Sequence, residues 1–210
     1  MHQPKAIWSL RKIVFDKDIS IIQNTVLTQG SSALRAAIDR IDKLWEYTKV
    51  AHENVVIHHP DVAPTLSDLC YQAGLASTIL FNNAPRGKGE SNFIYRLRAE
   101  RISYVSRYCR ENNVKVVILK DKRLRNALTH VDEHLAKEMT KEPNVGWYID
   151  MAIGTPDSMN IPGAISKVKF CRTDIKKRDE IVHLSHKVNV AALRLECEAV
   201  LGGVFGFTSS

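Results

Sequence analysis

Apolar residues recur at helical spacing along most of the chain. Ile7, Leu10, Ile13, Val14, Ile21 and Ile22 predict a helix from Ala6 to about Leu27. Gly30-Ser31-Ser32 predicts a break, with either serine free to cap the next helix. Leu34, Ala37, Ile38, Ile41, Trp45 and Thr48 then mark that helix to about Val50. A connection comes after it, with Pro60, Pro64 and the pair His58-His59, and with a short strand at Val55–His58. Thr65 and Asp68 form a variant of the capping box, and Leu69, Leu75, Ala76, Ile79 and Leu80 carry a helix to about Phe81. After the turn-rich stretch Asn82 to Gly89, a long helix is predicted from about Ser91 to Glu111. Asn112-Asn113 closes it, because Asn tolerates the left-handed conformation at a helix end. The clearest stripe comes next: Leu124, Leu128, Val131, Leu135 and Met139, ending near Glu142-Pro143.

Beyond Pro143 the texture changes. Trp147–Ile153 and Lys167–Arg172 read as strands, set off by Gly154-Thr155-Pro156 and Ile161-Pro162-Gly163. Ile181, Leu184, Val188, Ala192 and Leu195 predict a last helix from about Lys177 to Leu201. The expected class is mainly α: an antiparallel helical bundle with a small C-terminal β ribbon and a final helix. The expected division is an N-terminal helical extension (1–30), a helical bundle (31–142), and a β ribbon plus C-terminal helix packed on it (143–210).

Composition narrows the class of molecule. The chain has 210 residues, 44% hydrophobic and 25% charged, enough for a real core without metal or disulfide staples. Ala6-Ile7-Trp8-Ser9-Leu10 is too short for a signal h-region, and no run approaches a membrane span. Cys70, Cys109, Cys171 and Cys197 lie far apart with no C-x-x-C spacing. That spacing predicts reduced thiols and a cytoplasmic protein rather than a zinc ribbon or disulfide framework.

Charge is where composition becomes local. The net charge is +7, and the segment 86–125 holds twelve basic residues against four acidic ones. The excess therefore lies in one glycine loop and the two helices after it. With Tyr95, Tyr104 and Tyr108 interleaved, the pattern predicts an RNA-facing surface carried by Arg86, Lys88, Arg96, Arg107, Arg110, Lys122 and Arg123. Gly87-Lys88-Gly89 lacks the spacing of a Walker motif, so no triphosphate hydrolysis is expected.

Candidate chemistry sits on the best-marked helix. At 100° per residue, Asn126, His130, Glu133 and Lys137 share a face opposite the leucine stripe. Asn126 is placed to fix the imidazole tautomer of His130, Glu133 to raise its pKa, and Arg125 to hold an anion beside it. Cleaving RNA without metal requires a base for the 2′-OH, a cation for the phosphorane charge and an acid for the leaving oxygen. His130 and Arg125 have the chemistry for these roles, and a symmetric dimer brings two copies to one phosphate. A second copy of the pattern, Arg178 to His183, is expected on the last helix. It ranks below the first, which comes directly after the basic helices. His52, His58, His59, His134 and His186 form no metal-ligand spacing, so neither metal nor cofactor is expected.

Arg125-Asn126-x-x-x-His130, on a late helix of an all-α bundle, resembles the R-x4–6-H signature of HEPN domains, over about residues 33–142. The resemblance implies a bundle that homodimerises so that two motifs face one cleft. It also implies metal-independent endoribonuclease activity, often in toxin–antitoxin or antiviral systems, with a cognate antitoxin or regulatory protein as partner. Other members bind RNA or a partner protein without cleaving. The β ribbon and final helix after Pro143 depart from the minimal domain.

Overall fold

In the computed structural model the chain forms the helices α1 (Lys17–Val50), α2 (Val62–Phe81), α3 (Asn92–Glu111) and α4 (Val190–Phe205). The residues it describes are 17–50, 57–58, 60–121, 126, 133, 136–137, 140–141, 147–149, 152–153, 168–170, 174–176, 180–183 and 186–205. Among the described residues the short strands are β1 (Ile57–His58), β2 (Trp147–Ile149), β3 (Ala152–Ile153), β4 (Val168–Phe170), β5 (Asp174–Lys176), β6 (Glu180–His183) and β7 (His186–Asn189). The described chain is mainly helical, as the hydrophobic spacing predicts. It divides into two compact units. One holds residues 1–36, 72–120 and 195–210, and the other 37–71 and 121–194.

The first unit is a bundle of helical segments. Leu27 and Leu34 of α1, Ile79 and Leu80 of α2, Leu97, Val105 and Cys109 of α3, and Cys197 and Val200 of α4 are buried in it. Its α1 segment corrects the expected break at Gly30-Ser31-Ser32, because the helix runs straight through. The glycine is there for packing. A Cβ on Gly30 would lie 2.8 Å from Leu80 Cδ2 and 3.1 Å from Ile79 Cγ2, so its absence lets α1 and α2 approach. Ser31 is no cap either: its hydroxyl donates back to the Thr28 carbonyl within the helix (2.9 Å). Across the bundle, Gln23 is fully buried and donates to the Leu97 carbonyl of α3 (2.6 Å).

Helix α3 begins and ends where its sequence says. Ser91 accepts the Ile94 N–H as N-cap (3.2 Å). At the other end the Val114 N–H reaches the Cys109 carbonyl (2.7 Å) and the Asn113 N–H reaches that of Arg110 (3.2 Å). Those two bonds make a Schellman motif, and Asn113 takes the left-handed φ of 54° that it requires. Helix α2, in contrast, starts at Val62, three residues ahead of the expected cap. Pro64 fits its first turn, where no N–H is needed. Thr65 is instead buried, and Asp68 is taken up by an ion pair with Arg40 in the second unit.

The second unit combines parts of α1, α2 and α4 with the strands. Ile41, Leu44, Leu66, Leu69, Ile181 and Leu193 are among its buried residues. Strand β1 pairs antiparallel with β3, β2 pairs parallel with β4, and β5-β6-β7 form an antiparallel sheet. That sheet corrects the expected last helix. Residues 180–183 and 186–189 are strands with Ile181 opposite Val188, and α4 starts at Val190. The β-branched Ile175, Ile181, Val182 and Val188 favour the pleated surface over a helix. Asn189 then caps α4 by accepting the Ala192 N–H (2.6 Å).

Candidate nucleic-acid interface

Helix α3 carries five arginines, and the fold sorts them into two groups. Leu97, Ile102, Val105 and Cys109 define its core side. Arg98 and Arg101 fall on that side; Arg96, Arg107 and Arg110 fall opposite and are exposed. At 100° per residue the exposed three lie within about 60° of one another. They span about 21 Å along the axis.

The inward pair serves α2. The last four carbonyls of a helix lack partners, and α2 has no basic residue in its own last turn. Arg101 Nε donates to the Ile79 carbonyl (2.9 Å), and its guanidinium also meets Gln23 Oε1 (3.5 Å). Burial lowers the pKa of the Arg101 guanidinium below the usual arginine value, and the charge of Arg98 adds to the effect. Arg98 donates to the carbonyls of Asn82 (3.1 Å), Ala84 (2.8 Å) and Pro85 (3.4 Å) just past the helix end. Two cations are thus set at the negative end of α2's dipole.

Arg98 also fixes the basic loop. Its guanidinium grips the Glu90 carboxylate with Nε–Oε1 at 3.1 Å and Nη2–Oε2 at 2.9 Å, a bidentate pair. Glu90 Oε2 accepts the Gly87 N–H (3.0 Å), and the Glu90 carbonyl accepts Arg86 Nε (2.7 Å). The hydrogen bonds from Arg98 and then Gly87 hold the Glu90 carboxyl below its ordinary pKa. Gly89 supplies the φ of 87° that turns the chain back into α3. Arg86 and Lys88 are exposed on this held loop. Counting Lys115 and Lys120, the segment from Arg86 to Lys120 shows seven exposed bases against the exposed acids Glu100 and Glu111.

The aromatics sort differently from the expectation. Tyr95, Tyr104 and Tyr108 are half-buried. Arg98 lies 5.3 Å from the Tyr95 ring centroid, Arg107 lies 5.8 Å from that of Tyr104, and Tyr104 and Tyr108 contact each other at 6.0 Å. The exposed ring on this helix is Phe93, at 56%, a residue that the basic-aromatic pattern does not single out. Its signal in the sequence is its position: it precedes the first buried residue, Leu97, by a full turn.

Of the expected chemical group, Asn126, Glu133 and Lys137 are helical and exposed, as a solvent-facing polar face requires. Arg125 and His130, and the RNA-contact candidates Lys122 and Arg123, lie outside the described residues. The second copy of the pattern does not stand on a helix, because His183 ends strand β6. The turn before the candidate helix is anchored by Glu196, which no sequence motif marks. Glu196 accepts the N–H groups of Val117 (2.8 Å), Ile118 (3.0 Å) and Leu119 (3.0 Å). These successive donors form an anion nest filled by the chain's own carboxylate.

Cys70, Cys109 and Cys197 are buried, and burial pushes the Cys70 thiol up to about 12, which disfavours its thiolate. Among the described residues no group of three or more His, Cys, Asp or Glu is placed to hold a metal ion. No described helix is long and apolar enough to cross a membrane. No protein-family model, curated protein or solved structure matches the chain.

Proposed function

We propose that the chain binds RNA through backbone phosphates, using Arg86, Lys88, Arg96, Arg107 and Arg110. The observation that carries this reading is the sorting of α3's arginines. The two that hold α2 and its loop are turned inward, and the other three form one exposed row beside a loop held rigid by Arg98 and Glu90, with Arg107 4.0 Å from the exposed carboxylate of Glu111. A row of fixed cations suits a linear polyanion, and guanidinium groups match phosphate oxygens. Five phosphate contacts on a single strand correspond to a salt slope of about −3.5 in log K against log [salt]. Charge reversal at Arg107 is expected to reduce that slope and weaken binding to every sequence alike. An unchanged slope would remove the face from the interface.

A second reading adds chemistry to binding: a HEPN-type homodimer that cleaves RNA without metal. In it His130 is general acid and base, Arg125 is the stabiliser of the phosphorane, and Asn126 and Glu133 support the imidazole. The exposure of Asn126 and Glu133 on helical backbone favours it, because a covered face would exclude substrate. The test is RNA cleavage in EDTA by the wild type, Arg125→Ala and His130→Ala. Cleavage by the wild type alone, leaving 2′,3′-cyclic phosphate ends, supports the enzyme. Intact RNA that is nonetheless bound supports the non-catalytic module.

A further inference from the structure

We infer that Phe93 is a stacking platform for an unpaired base, which makes single-stranded RNA the ligand class of the basic face. The inference rests on the proposed RNA binding and names its substrate.

Phe93 is 56% exposed and Ile94 52%, in the first turn of α3. Large apolar rings are ordinarily covered, and this one is framed by charge. Arg96 is its i+3 neighbour, within about 6 Å between Cβ atoms. Arg86 is bonded to the Glu90 carbonyl (2.7 Å), three residues before the ring and therefore within about 10 Å along the chain. Arg86, Phe93 and Arg96 thus follow one another along the chain as cation, ring and cation, and Arg107 and Arg110 continue along α3 from Arg96. A π face between phosphate-binding cations is how proteins hold single strands, whose bases are free to leave the backbone axis. A duplex keeps its bases stacked and offers the ring nothing. The half-buried tyrosines are already engaged with Arg98, Arg107 and each other, which leaves Phe93 as the available ring on α3. An anionic membrane is the competing ligand for a basic, apolar corner. The row of cations, about 21 Å long and one helix face wide, has the footprint of a strand rather than of a plane.

The experiment measures fluorescence anisotropy with three labelled probes: a 12-nucleotide single-stranded RNA, its duplex, and a 12-unit abasic ribose-phosphate strand. The proteins are the full chain as wild type, Phe93→Ala, Phe93→Leu, Phe93→Trp and Arg107→Glu. Phe93 is exposed, so its variants are expected to melt with the wild type. Phe93→Ala and Phe93→Leu should each lose about tenfold on the base-bearing strand and nothing on the abasic one, and Phe93→Trp should retain affinity. Arg107→Glu should weaken all three probes. If both Phe93 variants bind like the wild type while Arg107→Glu weakens binding, the stacking role is overturned and the RNA-binding reading stands. If the wild type binds no probe, that reading itself falls. Phe93-dependent binding to phosphatidylserine vesicles without RNA binding would also overturn the inference.

Discussion

Arg101→Met and Arg96→Met remove the same charge from the same helix, five residues apart, and are expected to have opposite consequences. Arg101 is buried, and its Nε donates to the Ile79 carbonyl at 2.9 Å. Methionine keeps much of the stem's volume but leaves that carbonyl, in the last turn of α2, with one partner fewer. A hydrogen bond from a charged donor contributes about 1.5–3 kcal/mol. The cation at the C-terminal end of a helix adds about 0.3–1 kcal/mol. Relief of the guanidinium's desolvation works the other way, so the net loss is about 2–3 kcal/mol. In a chain of this size that is a fall in Tm of about 5–10 °C. Arg96 is exposed, and its loss should change stability by no more than about 0.5 kcal/mol. It should, however, reduce the salt slope of RNA binding by about 0.7, and Arg101→Met should leave that slope alone. Urea unfolding and salt-dependent anisotropy on both variants read all four quantities. If Arg101→Met melts with the wild type, or if Arg96→Met is the less stable of the two, the assignment of inward and outward arginines is wrong.

Glu196→Ala strips the carboxylate from the N–H groups of Val117, Ile118 and Leu119. It should destabilise the chain by about 2–4 kcal/mol in urea unfolding, with faster amide exchange at those three residues. Glu90 has a depressed pKa in the folded chain, so its clamp contributes fully above its ordinary value of 4.5 and is lost as pH falls through the lower folded value. Exchange at the Gly87 amide should therefore accelerate in acid beyond its intrinsic dependence, and Glu90→Gln should abolish that extra acceleration. Gly30→Val places a branched side chain against fully buried Leu80 and should lower stability by about 2–3 kcal/mol in thermal melts, with no change in RNA affinity.

Legibility in the sequence was local. The caps of α3 are Ser91 and Asn112-Asn113, and each acts within four residues of itself, so both ends could be read directly. Gly30 could not, because its reason is Leu80, fifty positions away; judged locally, a glycine followed by two serines is a break. Residues 177–189 misled for another reason. Ile181, Leu184 and Val188 fit helical spacing, but Ile181 and Val188 are cross-strand partners, and in so short a stretch the two periods coincide. The basic count carries a sign without a direction. Twelve basic residues are visible in 86–125, yet Arg98 and Arg101 answer to the carbonyls of α2 and its loop, which no count reveals. Phe93 escaped because the aromatics interleaved with the arginines are tyrosines, and the ring left outside that alternation is the exposed one.

The capping of one helix by the next also bears on how the chain folds. Helix α2 has no cation of its own to finish it, so its C-terminal turn and the loop after it depend on Arg98 and Arg101. These contacts join residues 13 to 22 positions apart, a short loop to close and a small entropic cost. The segment from Gln72 to Glu111 is thereby a candidate early-forming cooperative unit, in which neither helix end is complete without the other. A protease directed at the loop between Asn82 and Glu90 would report that cooperativity. Cleavage there should follow the opening of the whole unit, because the exposed peptide bonds are pinned from the helix behind them.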